Sequence, residues 1–595
     1  MHFSAKWRSG SHWADRIDDN MRKPDNITYW LNEKPPRQIS LVLAIQQFSF
    51  LAVYLVVTPL FARSLQLNHE QSLQLISATL LASAVGVLLQ SLGRWGIGSG
   101  FFCPLQTTSS TFSALTMAKV IGGIQACFGA IAIIGLSQVI FGFIFSRLRS
   151  IFSIQIAGIS VMLIGLGLGH NGLKLVMEPH PGQEPTSAEA MICVLTLGTM
   201  IACNVWSSGY LRLFSAFIGL GVGIVASFWL DPMTDADWAL FYDTPIFMLP
   251  QPMNIGWSLH PDSVLPLLVT GLFLALHGFG AIIAAQRFND ADWKRPDMTQ
   301  VRQGVVAEGL TNIISSLLNG IPITSSGGAV SLAAATGCTS RYLAYWLAGI
   351  MILLAFMPRV IIFWEMLPES VMGSAMIFLA CFTTMAGLQI IASRLLDNRK
   401  ILTVGVGLLL GISYEPLRNL ILKTAPEALA PLLFSGVAFG VMAAVLLSSL
   451  FRVGDHTRRR RTFDALHSSL SELTEFLERQ GKSWGAPSEV VRRAEFASWQ
   501  AFEILTEHEM VDMSEKAPKT IEVETIFTEF SFTVILRYYG ITVPLAMHPP
   551  THEQLLDSEH AVLQMAGYML RRLADRVDIH VNNMNTCEMR LVFND

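Results

Sequence analysis

Hydrophobic residues run along this chain in blocks of membrane-spanning length, and two polar, Pro-led interruptions sit at corresponding places among them. Apolar runs fall at about 38–62, 72–93, 119–146, 151–175, 189–206, 210–230, 262–286, 303–319, 342–363, 370–392, 400–413 and 428–451. The interruptions are Pro104-Leu105-Gln106-Thr107-Thr108-Ser109-Ser110 and Pro322-Ile323-Thr324-Ser325-Ser326-Gly327-Gly328. Each is followed by a short apolar stretch before polarity returns at Lys119 or Arg341. Those stretches are too short to cross a hydrocarbon core of roughly 30 Å as helix. Polar backbone at that depth survives only where protein or a water-filled cavity satisfies it. Matched interruptions in two halves point to the substrate site of a secondary transporter. With the two half-helices the chain has fourteen segments, seven plus seven, each set carrying its half-helix third. An odd number of spans per repeat makes the repeat inverted.

Composition sharpens the picture. Of the 595 residues, 51% are hydrophobic and 14% charged, against roughly a quarter charged in a soluble protein. The charges crowd into residues 1–37 and 452–595. The expected organisation is a cytoplasmic N-terminal tail (1–37), an α-helical polytopic membrane domain (38–452) and a cytoplasmic α/β domain (453–595). Loops after even-numbered segments carry Arg94, Arg147, Arg149, Arg212, Lys294, Arg295, Arg341, Arg394, Arg399 and Lys400, whereas loop 231–261 has Asp231, Asp235, Asp237 and Asp243 and no Lys or Arg. The positive-inside rule then puts both termini in the cytoplasm, and the multi-pass protein is expected in a bacterial inner membrane. Met1 to Asn32 is polar and mixed in charge, so no cleavable signal is expected.

The seven cysteines show no pairing or metal spacing. No His, Cys and carboxylate cluster has catalytic spacing, and no Gly-rich phosphate loop follows a strand. Neither an enzyme nor an ATP-driven pump is expected, and no metal, cofactor or nucleic acid.

Candidate transport residues follow from the same pattern. Thr108, Ser109 and Ser110, with Ser326, start the two half-helices; they cap helix ends, and doubled N-termini can also aim free N–H groups and positive dipole ends at a polar ligand. Gly327 and Gly328 suit close backbone approach to a flat molecule. His277 is an intramembrane ionisable group, functional by default, against the alternative of a neutral imidazole bonded to a carbonyl. Gln46 and Gln47 lie at mid-span, where adjacent amides suit a nucleobase edge or join helices.

Several of these residues resemble the nucleobase–cation symporter-2 family, also called the nucleobase–ascorbate transporters. The resemblance rests on Leu43-Ala44-Ile45-Gln46-Gln47 with Thr58-Pro59, the Pro104–Ser110 stretch, Gly309-Leu310-Thr311-Asn312 with Gly320-Ile321-Pro322, and Ala335-Thr336-Gly337-Cys338-Thr339-Ser340-Arg341. It covers 38–451. It implies a core of segments 1–4 and 8–11, a gate of segments 5–7 and 12–14, and substrate between segments 3 and 10 with side chains from 1 and 8. It further implies a homodimer in membrane lipid that moves nucleobases with protons or sodium. Gly280 matches a family glycine and Gln46 a family glutamine. Gly328, Ala329 and Ser331 replace the signature that the family places at the tenth segment, and His277 stands where a carboxylate is common. The sequence therefore leads us to expect no carboxylate at the site.

In the C-terminal region, helices are expected near 460–480, 487–511 and 557–575, and strands near 521–526, 530–536, 577–582 and 587–593. Arg458 to Arg461 is expected at the lipid surface. The order of elements weakly resembles a histidine-kinase-type ATPase domain without its acidic and glycine boxes, which suggests a regulatory or dimer-supporting module, with a sulfate-transporter-type regulatory domain as the alternative. The leading expectation is secondary active transport of a nucleobase such as xanthine or urate. An anion transporter or exchanger of the sulfate/bicarbonate type and a transport-defective ligand sensor remain as alternatives.

Overall fold

The computed structural model describes residues 21–148, 154–178, 184–208, 210–230, 235–251, 255–293, 296–392, 396, 398–424, 436–452, 458–465, 470–484, 486, 488–508, 510–512, 519–528, 531–546, 548–550, 559–581 and 586–594. These form two compact units: Met1–Ile391 with Thr403–Leu447, and Ala392–Leu402 with Ser448–Asp595.

The first unit is helical. Its first half runs α1 (Arg37–Tyr54), α2 (Val57–Leu65), α3 (His69–Leu92), β1 (Leu105–Thr107), α4 (Phe112–Leu148), α5 (Ile154–Met177), α6 (Ser187–Val205), α7 (Tyr210–Leu213) and α8 (Ser215–Leu230), with α9 (Asp235–Asp243) in the connection. The second half runs α10 (Val264–Asn289), α11 (Met298–Leu318), β2 (Ile323–Ser325), α12 (Gly327–Ala335), α13 (Leu343–Ala355), α14 (Pro358–Glu365), α15 (Glu369–Ala392), α16 (Asn398–Thr424) and α17 (Gly436–Arg452), of which Ala392, 398–402 and 448–452 are grouped with the second unit. Among the described residues, eight helices are long and apolar enough to cross a membrane, or nine if the bent pair α13–α14 is one span. Of the other expected segments, α8 (Ser215–Leu230) is shorter, the one at 303–319 is more polar and two are the half-helices, while residues 428–435 of the last lie outside the described residues.

Packing partners repeat between the halves. The fourth segment, in α4, lies on α11 and α10, and its counterpart α13 lies on α3 and α1. Each relation maps onto the other by the seven-segment shift, which is what an inverted repeat requires. Small residues let the backbones close up. A Cβ on Gly135 would sit 2.6 Å from the Gly309 carbonyl oxygen, and one on Gly309 would meet the Gly135 carbonyl at the same distance. The fifth and twelfth segments cross the same way at Gly172 and Gly373, where an added Cβ would sit 2.8 and 2.7 Å from the other glycine's carbonyl oxygen.

Three local features differ from the sequence expectation. Segments 3 and 4 are two helices that meet at a kink, Gly122–Gly123, where Gly123 takes φ 75°. The break therefore falls beyond Lys119, at the position that permits a left-handed backbone. The eleventh segment bends by 86° between α13 and α14, where Pro358 starts the second piece. Residues near Tyr29 are not a free polar tail. Thr28 and Tyr29 donate backbone N–H to the Gly337 carbonyl at 2.7 and 2.9 Å, Thr339 and Arg341 donate back to Tyr29 and Leu31, and Trp30 Nε1 donates to the Asn289 carbonyl at 2.9 Å. Leu31 is fully buried.

The second unit is an α/β sandwich. Its elements are β3 (Arg458–Asp464), α18 (Leu470–Trp484), α19 (Ser488–Glu507), β4 (Thr520–Thr528), β5 (Ser531–Tyr539), α20 (Glu559–Leu573), β6 (Arg576–Val581) and β7 (Thr586–Asn594). The antiparallel sheet has the order β3-β4-β5-β7-β6. Leu477, Phe502, Leu505, Val523, Val534, Leu570 and Leu591 form its core. The expected helix from 460 begins at Leu470 instead, because Arg458–Arg461 forms the edge strand. Arg460 faces Glu522 and Glu524 across the ladder at 3.4 and 3.3 Å, and Arg461 meets Glu472 at 3.0 Å. A charged edge also discourages pairing with other chains.

Candidate functional site

The two Pro-led interruptions meet. β1 pairs antiparallel with β2, with Leu105 opposite Ser325, Gln106 opposite Thr324 and Thr107 opposite Ile323. The pairing continues at both ends, where Ser326 N donates to the Pro104 carbonyl at 2.8 Å and Thr108 N to the Pro322 carbonyl at 3.2 Å. Backbone groups that could find no water at this depth thus satisfy one another. The half-helices follow the strands closely, with residues 108–111 between β1 and α4 and Ser326 alone between β2 and α12.

The starts are capped differently. Ser326 is the N-cap of α12 and accepts from Ala329 N at 3.1 Å, while its hydroxyl donates to Gln106 Oε1 at 2.5 Å. Thr108 Oγ1 lies 2.8 Å from Ser110 Oγ and accepts from Ser110 N at 3.3 Å. The Ser109 carbonyl accepts from Phe112 N at 3.0 Å. No atom lies within 4 Å of where a Gly327 Cβ would be, so this first residue of α12 faces open space. Gly328 faces the Phe50 ring, whose nearest carbon would be 2.6 Å from an added Cβ.

α1 and α10 close around these starts. Gln47 Nε2 donates to the Ala329 carbonyl at 3.2 Å. Ala329 itself is fully buried, so it offers its carbonyl and not its side chain. The Thr107 hydroxyl donates to the Tyr54 carbonyl. Gln46, Gln47 and His277 are buried, and Gln46 Nε2, Gln47 Oε1 and His277 Nδ1 have no hydrogen-bond partner. Buried polar atoms are otherwise nearly always paired. α10 packs on β2 and α12. Gly280, three residues beyond His277, turns instead toward Ile390 and Val161 of α15 and α5, away from the paired strands.

One group overturns the expectation of a site without a carboxylate. Glu308, on α11, is fully buried. Its Oε1 accepts from Gln138 Nε2 at 2.8 Å and Thr324 Oγ1 at 2.9 Å, and its Oε2 from Ser325 N at 2.9 Å and Ser325 Oγ at 2.7 Å. Gly278, next to His277, makes room for it, since a Cβ there would sit 2.5 Å from Oε2. Asn312 continues the row by donating to the Ile323 carbonyl at 2.9 Å and accepting from Ile323 N at 2.8 Å, and Ser315 Oγ donates to the Ile321 carbonyl at 2.7 Å. Glu308, Asn312 and Ser315 are spaced i, i+4, i+7, one face of a helix. That stripe was the available signal for Glu308, and a count of apolar residues over 303–319 passes over it.

Two half-helices joined tip to tip inside an inverted repeat define a membrane transporter. Residues 38–417 match the permease family of the xanthine–uracil type, and the chain belongs to that family; it is a multi-pass permease and not an enzyme. It is similar to the xanthine permease XanP of Escherichia coli strain K12, 28% identical over 446 residues that cover 71% of this chain and 94% of that one. Xanthine permease XanQ of the same strain is 28% identical over 455 residues, covering 72% and 94%. The uric acid permease PucJ of Bacillus subtilis is 25% identical over 419 residues, covering 68% and 91%. Among solved structures, the murine Slc26a9 anion transporter in its inward-facing state aligns with a TM-score of 0.50 at 12% identity, covering 77% of this chain and 75% of that one. That likeness concerns the fold alone.

Proposed function

We propose that this permease carries a nucleobase, in particular a purine such as xanthine or urate, by secondary active transport coupled to protons or sodium. The observation that carries the reading is the pairing of β1 with β2 beside buried, unpartnered atoms on Gln46, Gln47 and His277. A purine presents a flat face and a rim of donors and acceptors. Helix N-termini favour its oxygens and any negative charge, and the free amide atoms offer one donor and one acceptor. The Phe50 ring beside Gly328 supplies an apolar wall. Thr108, Ser109, Ser110, Ser326 and Gly327 would line the same space, with Gly280 set toward the gate helices. XanP, XanQ and PucJ, by their names, carry xanthine or uric acid.

Glu308 and His277 are the groups through which a coupling cation would act, one holding the strand of the second half-helix and the other carrying an unpartnered Nδ1. The core segments would move against the gate segments in an elevator-like step. The protein would work as a homodimer in a bacterial inner membrane with both termini cytoplasmic, and the C-terminal unit would regulate rather than transport.

Uptake of labelled xanthine into membrane vesicles under an imposed proton or sodium gradient tests the proposal. Competition by urate, indifference to sulfate and dependence on one of the two gradients are expected. Sulfate or bicarbonate exchange without xanthine uptake would replace it with the anion reading, and xanthine binding without any uptake would leave a sensor.

A further inference from the structure

Helix α19 of the C-terminal unit buries Ala494, Ala497, Ser498, Ala501 and Leu505 against the sheet, and its opposite face is unusual. Phe496 is 47% exposed and Trp499 38% exposed. They lie three residues apart, between Arg492 and Glu503 on the same helical face. Two hollows lie between α19 and α20, one of about 550 Å³ lined by Arg492, Phe496 and Leu573, the other of about 230 Å³ lined by Glu503, Val562 and Met569. Val562 and Met569 of α20 are each 38% exposed and widen the apolar surface. A contiguous apolar patch rimmed by charge marks an interaction surface.

The arrangement of charge identifies the partner. Arg492 precedes the ridge by four residues and Glu503 follows it by four. A two-fold axis through the ridge midpoint would set Phe496 of one helix against Trp499 of the other, and Arg492 against Glu503 at both ends. Such a contact is isologous and self-complementary. A parallel arrangement would instead oppose Arg492 to Arg492 and Glu503 to Glu503. We propose that α19 is an antiparallel homodimer contact through which the C-terminal units of two copies of this chain pair, with the Phe496–Trp499 ridge of each seated beside the α20 hollow of the other. This rests on the homodimer of the proposed function, to which it adds a contact in the C-terminal unit, and does not depend on the substrate.

Disulfide trapping of the full-length chain in membranes tests it, with Glu489→Cys and Thr506→Cys introduced together and the ridge left intact. The two-fold arrangement opposes position 489 of one chain to position 506 of the other. Within one chain they are roughly 25 Å apart along the helix, so an internal bridge is excluded. Mild oxidation should give a covalent dimer well above the wild-type background. Phe496→Ala with Trp499→Ala should lower its yield about 10-fold. Arg492→Glu alone should also lower it, and Arg492→Glu with Glu503→Arg should restore it. Cross-linking by Glu489→Cys alone, absence of restoration in the charge exchange, or a yield no higher than wild type would each overturn the proposal. A ridge that instead docked another protein or the bilayer would give that last result.

Discussion

Each unit of this protein buries a glutamate next to a β-ladder, and the two are satisfied in opposite ways. Glu524 in the sheet meets Arg460 at 3.3 Å and Arg537 at 2.7 Å. Arg537 also binds Glu588 through its Nε at 2.8 Å. Glu524 is thus held by two cations, and despite desolvation the Glu588 and Glu524 carboxylates hold the Arg537 guanidinium's pKa above its ordinary value. Glu308 has four neutral donors and, among the described residues, no basic partner. A carboxylate paired with arginine is committed to structure. One held by amide and hydroxyl groups keeps its response to an arriving cation, and it grips the strand that leads into the second half-helix.

The largest expected effect tests that contrast. Glu308→Gln keeps the volume but turns an amide toward donors that need an acceptor, at a cost of the order of 1–3 kcal/mol or more. Xanthine uptake should fall about 100-fold while the protein still inserts and stays monodisperse. Wild-type uptake in this variant would reduce Glu308 to a packing group. Glu524→Gln should do the reverse. Uptake should be unchanged, but the C-terminal unit should lose about 2 kcal/mol of stability, less than a fully buried pair because Arg460 is 57% exposed. Thermal unfolding of the full chain reads this, and loss of uptake with unchanged unfolding would erase the distinction between the two glutamates.

A smaller effect is expected at His277, which has an unpartnered Nδ1. His277→Gln should change the pH dependence of uptake and weaken binding of anionic bases more than neutral ones; the full wild-type pH profile in that variant would leave coupling to Glu308 alone. The smallest concerns Glu33, an exposed, ion-paired carboxylate whose pKa is lowered chiefly by its hydrogen bonds from Lys23 at 2.8 Å. A lowered carboxylate pKa gives stability that is present above the ordinary glutamate value and lost as pH falls through the lowered one. Glu33→Gln should cost at most about 0.5 kcal/mol at neutral pH, with the difference from wild type vanishing in acid. A difference that persisted at low pH would assign Glu33 a role other than its charge.

Much of this layout was legible before any coordinates. Pro104 and Pro322 with their hydroxyl-rich successors marked both half-helices, because nothing else explains polar residues inside so apolar a region. The pairing of β1 with β2 was not, since three-residue strands formed by residues more than 200 apart leave no periodicity to read. Glu308 escaped because its stripe of three polar residues is diluted by apolar neighbours on the other faces of α11. The Arg458–Arg461 strand escaped for a different reason: its conformation comes from Glu522 and Glu524 across the ladder, and a run of arginines has no strand alternation of its own.

The placement of substrate against the open first turn of α12 is tested most directly at Gly327. Its Cβ position is empty, so Gly327→Val should leave folding and thermal stability unchanged while it fills the space assigned to the ligand. Xanthine binding to the purified full-length chain, measured by calorimetry beside wild type, should weaken at least about 30-fold, or about 2 kcal/mol. Equal affinity in the two proteins would contradict a substrate site at the joined half-helices.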